Sequence, residues 1–207
     1  MPPENQPELD SIYHVMLMTS EKKGLGGKRD KIRIIGTYTS FSTFETNPEV
    51  LEGFGAYEGT GLTVYAIATD GTVFRVRIST SPNVLHLTTD NEDGRISTPL
   101  FYVVQTNVPY CSHERKPSHD TNVEGVFQSY AEARKFASTV LLSEEEGITA
   151  SSYEDYCEAS PDESDCEYGD NVIVHAVGKN DENYFVSVIV CQELESVKLA
   201  EASFRLG

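Results

Sequence analysis

The chain has 207 residues, the length of one large domain or two small ones. It carries 33 acidic and 16 basic side chains, a net charge of −17, and 39% of its residues are hydrophobic. That apolar fraction excludes a fully disordered chain, and the acidic balance argues against direct nucleic-acid binding, which needs a basic surface. No apolar run reaches the roughly 18 residues of a membrane-spanning helix, so no membrane association is expected.

The N-terminal sequence MPPENQPELD lacks the basic and apolar regions of a secretory signal. We therefore expect the protein in the cytoplasm or the nucleus. In a reducing compartment the four cysteines, Cys111, Cys157, Cys166 and Cys191, are expected to be free thiols. Cys157 and Cys166 are close enough in sequence to close a small disulfide in an oxidising compartment.

The two halves of the chain share an order of sequence patterns, which predicts a diverged tandem repeat. Four blocks align: residues 12–15 with 101–104 and 35–41 with 124–130 at an offset of 89, then 62–67 with 172–177 and 74–78 with 184–188 at an offset of 110. The difference between the offsets indicates a 21-residue insertion in the second copy.

Each copy has the pattern of two strands, a helix and two more strands. Residues 31–39 alternate as a strand does, and Asp70-Gly71 predicts a type I′ hairpin turn. Ser129 is the expected N-cap of a helix whose apolar stripe contains Tyr130, Ala133, Phe136, Ala137, Val140 and Leu141. In the first copy, Asn47-Pro48 predicts a short or broken helix.

One helix covers only one face of a sheet, so two such units are expected to shield each other. We predict an α+β fold in which tandem pseudo-symmetric ββαββ repeats, with mostly antiparallel sheets, pack into one compact domain. The expected segments are a disordered tail (1–9), the first repeat (10–80), a linker (81–99), the second repeat (100–191) and a C-terminal helix or strand (192–207).

Residues 143–170, here called the acidic segment, contain eleven acidic side chains and no Lys or Arg. One interpretation is a solvated, mobile loop that keeps the protein soluble. Another is a docking element, because carboxylates attract a basic protein and tyrosines supply contact area. The candidate partner-binding residues are Tyr153, Glu154, Asp155, Tyr156, Asp162, Glu163, Asp165, Glu167 and Tyr168.

Patterns for metals, phosphates and catalysis are incomplete. Cys111, His113 and His119 lack a fourth zinc ligand nearby, and residues 89–100 lack the bidentate Glu of a calcium loop. The glycines of residues 24–29 do not follow the phosphate-loop spacing. We therefore predict no metal, no cofactor and no catalytic residue, which favours a protein that is not an enzyme.

A second candidate site lies on the face of the first sheet opposite its predicted core. Phe74, Val76 and Ile78 are expected to face inward, which directs Arg75 and Arg77 to the other face. Alternation alone leaves open whether His14, Tyr65 and Arg33 share that face. The candidate residues for an anionic ligand are Arg75, Arg77, Tyr65 and His175. A solvent-exposed sheet face explains the same alternation.

The leading hypothesis is a non-enzymatic intracellular protein-interaction module that uses the acidic, Tyr-containing segment to contact a basic partner. The first alternative is a small-ligand-binding or catalytic α+β domain with a pocket between the two repeats. The second is a self-assembling structural protein that buries a sheet face in a homodimer.

Overall fold

A computed structural model of the protein describes residues 10–20, 30–40, 62–108, 120–163, 166–169 and 171–191. The fold is α+β and mostly strand, with two antiparallel sheets, and the described residues contain one α-helix. The predicted fold class and antiparallel pairing are therefore confirmed. Contacts divide the chain into two compact units, unit 1 (residues 1–97 and 192–207) and unit 2 (residues 98–191).

The sheet of unit 1 has four strands in the order β2-β1-β4-β3. They are β1 (Ser11–Ser20), β2 (Asp30–Tyr38), β3 (Leu62–Ile67) and β4 (Val73–Pro82). The central strand β1 is buried along most of its length, with Ile12 and Met16 almost fully enclosed. Consecutive residues of β1 are buried, and consecutive side chains of a strand point to opposite faces, so both faces of the sheet are covered at β1.

The turn between β3 and β4 differs from the predicted type I′ turn. A type I′ turn needs positive φ at both central residues, and Asp70 does not have one. Instead the Gly71 N–H donates to the Ala68 carbonyl (2.9 Å), and Gly71 itself takes a φ of 83°. The Asp70 carboxylate accepts a hydrogen bond from the Thr72 N–H (2.8 Å), which stabilises this longer turn.

The sheet of unit 2 has five strands in the order β6-β5-β9-β8-β7. They are β5 (Phe101–Val108), β6 (Asp120–Phe127), β7 (Asp155–Glu158), β8 (Val172–Val177) and β9 (Asn183–Val190). The fifth strand, β7, comes from the acidic segment and lies at one edge. It has no equivalent in the described part of unit 1.

Helix α1 (Tyr130–Ala137) packs on one face of the unit 2 sheet. Ser129 occupies the predicted N-cap position, but its side chain makes no capping hydrogen bond. The helix is shorter than the predicted stripe, because a turn follows Ala137. Its buried residues, Ala133 and Ala137, are small, and they allow the helix to approach the valines of the sheet closely.

The two sheets have corresponding registers. A register shift lies next to the Val15–Gly36 pair in unit 1 and next to the Val103–Gly125 pair in unit 2. Aligning the two sheets at these shifts places Val15 against Val103, one residue away from the alignment that the sequence suggested. An aromatic ring covers each glycine, Tyr38 over Gly36 and Phe127 over Gly125.

Residues 83–96, in the expected linker, fold back onto β2. The Asn83 side chain closes a loop by pairing with both backbone groups of Leu87 (2.9 and 2.7 Å). The Ile96 N–H then donates to the Thr37 carbonyl (2.8 Å), and the Thr39 N–H donates to the Gly94 carbonyl (2.9 Å).

Several predictions fall outside the described residues. These are the N-terminal tail (1–9), the glycine loop (24–29), the helix of the first copy, the Cys111–His119 cluster and the C-terminal element (192–207). Within the described ranges, no helix is long and apolar enough to span a bilayer.

Candidate functional site

The acidic segment contains regular structure in the part that the structure describes. Ser143 and Ile148 pair across a tight turn, and a single 3₁₀ turn covers Ala150–Ser152. Strand β7 follows and adds to the sheet beside β8. In its described residues the segment therefore contains more regular structure than the solvated loop of the first interpretation would have.

Two tyrosines of the acidic segment anchor it to the rest of unit 2. The Tyr153 hydroxyl donates to the Leu141 carbonyl (2.6 Å), and the Tyr156 hydroxyl donates to the Ser138 carbonyl at a longer 3.5 Å. Both rings pack against the core beneath α1. Burial raises the pKa of Tyr153, and burial followed by the charge of Glu158 raises the pKa of Tyr156 to about 12. Both hydroxyls therefore stay protonated as donors at neutral pH.

A basic side chain of α1 also holds the segment. The Arg134 guanidinium donates to three backbone carbonyls, those of Ala159 (3.0 Å), Ser160 (2.6 Å) and Glu163 (2.6 Å). These bonds use backbone acceptors of the segment. The three bonds hold the backbone of the acidic segment against α1.

The acidic side chains of the segment lie mostly at the surface. Glu154, Asp155, Asp162, Glu163 and Glu167 are exposed, and Asp165 lies outside the described residues. Unit 2 as a whole contains 17 acidic and five basic side chains, a net charge of −12, whereas unit 1 has a net charge of −5. Most of the negative charge of the protein therefore belongs to the unit that contains β7.

The outer edge of β7 presents backbone hydrogen-bonding groups. The Ala159 N–H donates to the Ile173 carbonyl (2.8 Å), and pairing alternates along an antiparallel ladder, so the backbone groups of Cys157 also point toward β8. The N–H and C=O groups of Tyr156 and Glu158 consequently point to the outer edge. No strand of the described chain pairs with this edge.

His175, a predicted ligand-binding residue, lies on β8 directly opposite Cys157. Its imidazole is buried, stacks on Tyr168 with ring centroids 4.0 Å apart, and contacts Phe185 at 4.7 Å. The Nε2 atom lies 3.1 Å from Asn183 Oδ1. The Nδ1 atom is buried and has no hydrogen-bond partner.

Tyr168 is the predicted contact tyrosine that remains largely accessible, with 40% of its surface exposed. Its hydroxyl lies 3.4 Å from the Asp155 carboxylate. That negative charge raises the pKa of the Tyr168 phenol. One face of the ring therefore stacks on His175 while the residue also contributes to the acidic surface.

Three of the four candidate ligand-binding residues share one face of the unit 1 sheet. Register places Tyr65 opposite Arg75, and both Arg75 and Arg77 on the same face as His14. The remaining candidate, His175, belongs to unit 2. Arg33 pairs with Leu17 and lies on the other face.

The arginine-bearing face is not a simple solvent-exposed face. Arg77 lies opposite Met16 and Arg75 opposite Met18, and both methionines are buried. Both arginines are half-buried, and the Arg75 guanidinium donates to the Ser20 hydroxyl (3.3 Å). The interpretation of this face as ordinary exposed alternation is therefore wrong.

A buried polar trio on that face was missed by sequence reasoning. His14 Nδ1 lies 3.0 Å from Thr37 Oγ1, and His14 Nε2 lies 2.8 Å from Ser81 Oγ. Burial lowers the pKa of His14 to about 4, so the imidazole is neutral at pH 7. A Ser–His pair at this distance resembles a nucleophile and its base, but His14 has no exposed surface for a substrate to reach.

The calcium-like run at residues 89–96 forms a turn held by its own side chains. The Asp93 carboxylate accepts from the Arg95 N–H (2.9 Å), and the Asn91 and Thr89 side chains donate to the Arg95 carbonyl (2.6 Å each). Over the part of the chain that the structure describes, no group of three His, Cys, Asp or Glu residues is placed to hold a metal ion.

Comparison of the chain with protein-family models, with curated proteins and with solved structures finds no match.

Proposed function

We propose that the protein is a non-enzymatic interaction module, and that unit 2 binds an extended, Lys- or Arg-rich segment of a partner protein along the outer edge of β7. The observation that carries this proposal is the edge itself. Tyr156 and Glu158 direct backbone donors and acceptors outward, and exposed carboxylates flank them. An added strand gains affinity from main-chain hydrogen bonds and specificity from side chains at alternate positions.

Charge complementarity favours a basic occupant. Exposed acids Glu154, Asp155 and Glu158 lie on or next to β7, and the net charge of unit 2 is −12. Attraction of this kind speeds association and falls with salt. A second copy of the chain fits poorly, because pairing β7 with itself would place like charges side by side.

The folded state of the acidic segment supports the same function. Tyr153 and Arg134 fix the backbone on the inner side, so a partner strand would meet an edge that is already ordered. Preorganisation reduces the entropy that binding must remove. Tyr168 adds an exposed aromatic side chain next to the acidic edge.

The proposal is tested by substitutions at one residue. In Glu158→Pro the outward N–H is lost, whereas the β7–β8 ladder keeps its hydrogen bonds because residue 158 does not donate to β8. The matched control, Glu158→Ala, loses the same carboxylate and keeps the N–H. Binding of a short fluorescent peptide that alternates Lys with Val is measured by anisotropy at low and high salt.

We expect wild-type protein to bind this peptide more weakly as salt rises, and not to bind a peptide that alternates Glu with Val. Glu158→Pro should weaken binding about tenfold more than Glu158→Ala does, the value of roughly one main-chain hydrogen bond. Glu158→Ala should weaken it about two- to threefold. Equal affinities of the two variants would contradict strand addition, and no binding by wild-type protein at low salt would contradict the function.

We also propose that the two units are diverged copies of one ββαββ element. The shared strand order, the equivalent register shifts at Gly36 and Gly125, and the aromatic ring over each glycine support this origin. In this view β7 is an addition to the second copy that gave unit 2 its docking edge. The intracellular location expected from the sequence remains part of the proposal.

A further inference from the structure

Two thiols meet where the acidic segment returns to the sheet. Cys157 lies on β7, and its side chain packs against the small cluster formed by Ala159, Cys166 and Val172. The two cysteines therefore belong to one small cluster of side chains. Cys166 is buried, and both cysteines are in the free thiol form.

We propose that Cys157 and Cys166 are a dithiol site that a low-molecular-weight disulfide such as glutathione disulfide oxidises to an intramolecular disulfide. The inference does not depend on the proposed function. It rests on the packing of both cysteines in one small cluster and on the backbone hydrogen bonds beside them.

Backbone hydrogen bonds fix both ends of the loop that this disulfide would close. The Ala159 N–H donates to the Ile173 carbonyl (2.8 Å), and the Cys166 N–H donates to the Val172 carbonyl (2.7 Å). Neighbouring positions of β8 therefore hold the chain next to each cysteine. Because both cysteines pack in one cluster, a cross-link between them needs little backbone movement. Engineered disulfides usually fail when they distort the native backbone.

The reaction proceeds in two balanced exchanges. The Cys157 thiol loses its proton to solvent, and the thiolate attacks one sulfur of glutathione disulfide, which releases one glutathione thiolate and leaves a mixed disulfide on Cys157. The Cys166 thiol loses its proton in turn and attacks the Cys157 sulfur. A second glutathione leaves, so two thiols of the protein are oxidised and one small disulfide is reduced to two thiols.

Oxidation of Cys157 and Cys166 should be slow. Burial is the main cause that raises the pKa of the Cys157 thiol, followed by its electrostatic interactions with Cys166, Glu167 and Asp155. Little thiolate is present at neutral pH, so exchange is slow and depends on the concentration of the small disulfide. The expectation of free thiols in a reducing compartment agrees with this chemistry.

The test uses the full-length native protein and glutathione disulfide. After prolonged incubation the chain is denatured, free thiols are alkylated, and peptides are mapped by mass spectrometry. We expect a cross-link between Cys157 and Cys166, with Cys111 and Cys191 alkylated or present as mixed disulfides with glutathione and not cross-linked to either of them. The oxidised chain should run as a monomer on a non-reducing gel and melt about 10 °C higher than the reduced chain, because a loop of this length is constrained when unfolded.

Substitutions separate this pair from the other cysteines. Cys191→Ser, which removes an exposed thiol, should form the same cross-link. Cys157→Ser should leave Cys166 alkylated or as a mixed disulfide with glutathione, with no internal cross-link. Alkylation of both Cys157 and Cys166 in the treated wild-type chain, or a disulfide between either of them and another cysteine, would overturn the inference.

Discussion

The ring of Tyr168 stacks on the imidazole of His175 with their centroids 4.0 Å apart, and this contact connects the loop after β7 to the sheet. His175 also contacts the ring of Phe185, and its Nε2 atom lies within hydrogen-bond distance of Asn183. Together with the Tyr153 and Arg134 contacts, the stack holds the acidic segment in regular structure at the edge of the unit 2 sheet. The proposed function depends on this order.

Removal of the Tyr168 ring should loosen the loop without unfolding unit 2. In Tyr168→Ala, we expect backbone amides of residues 160–169 to exchange about fivefold faster, the effect of losing one aromatic contact. Tyr168→Phe keeps the stack and loses only the long contact with Asp155, so its exchange should match that of the wild type. Hydrogen-exchange mass spectrometry measures both, and unchanged exchange in Tyr168→Ala would show that the stack does not hold the loop.

The two anchoring tyrosines should differ in the energy of their hydroxyl groups. Tyr153→Phe deletes a short, partly buried bond to the Leu141 carbonyl (2.6 Å) and should lower the free energy of unfolding by about 1 kcal/mol. Tyr156→Phe deletes a 3.5 Å contact and should cost clearly less. Urea denaturation compares the variants, and equal losses would contradict the assignment of Tyr153 as the main polar anchor.

Burial of His14 should make stability depend on pH. The folded protein binds a proton at His14 only below about pH 4, whereas the unfolded chain does so below about pH 6.5. The unfolded state therefore holds more protons between these values, and stability falls as pH falls from 6.5 to 4. The loss from this residue is about 3 kcal/mol when complete.

Urea denaturation at several pH values between 4 and 7 tests this dependence. His14→Gln should flatten the pH profile, because the titrating group is removed, even if its stability at pH 7 is lower. His86→Asn replaces an exposed imidazole of the same unit and should keep the wild-type profile. A profile that His14→Gln leaves unchanged would assign the pH dependence to other groups.

The close approach of aromatic rings to Gly125 should make that position intolerant of a side chain. A Cβ there would lie 2.8 Å from Phe127 Cε2 and 2.9 Å from Phe136 Cε1. We expect Gly125→Ala to destabilise the protein by about 1–2 kcal/mol. Adding Phe136→Leu should recover part of this loss by making room, and strictly additive losses in a double-mutant cycle would contradict the steric explanation.

The sequence carried the information for elements whose signals are local. The alternation in residues 31–39 and the apolar positions of residues 74–78 predicted strands that the structure contains. The apolar stripe that begins at Tyr130 predicted α1. The predicted helix was too long, because Val140 and Leu141 reach the core from the turn that follows the helix. The Asp70-Gly71 pair predicted a turn and misassigned its type.

Features that depend on distant residues could not be predicted. The segment that contains β7 is held by the Tyr153 bond to the Leu141 carbonyl and by the Arg134 bonds to carbonyls about 25 residues away. No local sequence pattern indicates these contacts. The sequence shows His14 only as one polar residue in an apolar strand. Its partners, Thr37 and Ser81, come from β2 and β4, which are distant in the sequence. The outward direction of the Tyr156 backbone is likewise set by the register with β8.

Amide hydrogen exchange at β7 tests strand addition most directly. NMR spectra of wild-type protein are recorded with and without the Lys–Val peptide, and exchange is followed at Tyr156, Cys157 and Glu158. The account predicts that the peptide slows exchange of the outward-facing amides of Tyr156 and Glu158, while Cys157, already bonded to β8, changes little. Binding of the peptide with no added protection at Tyr156 and Glu158 would contradict it.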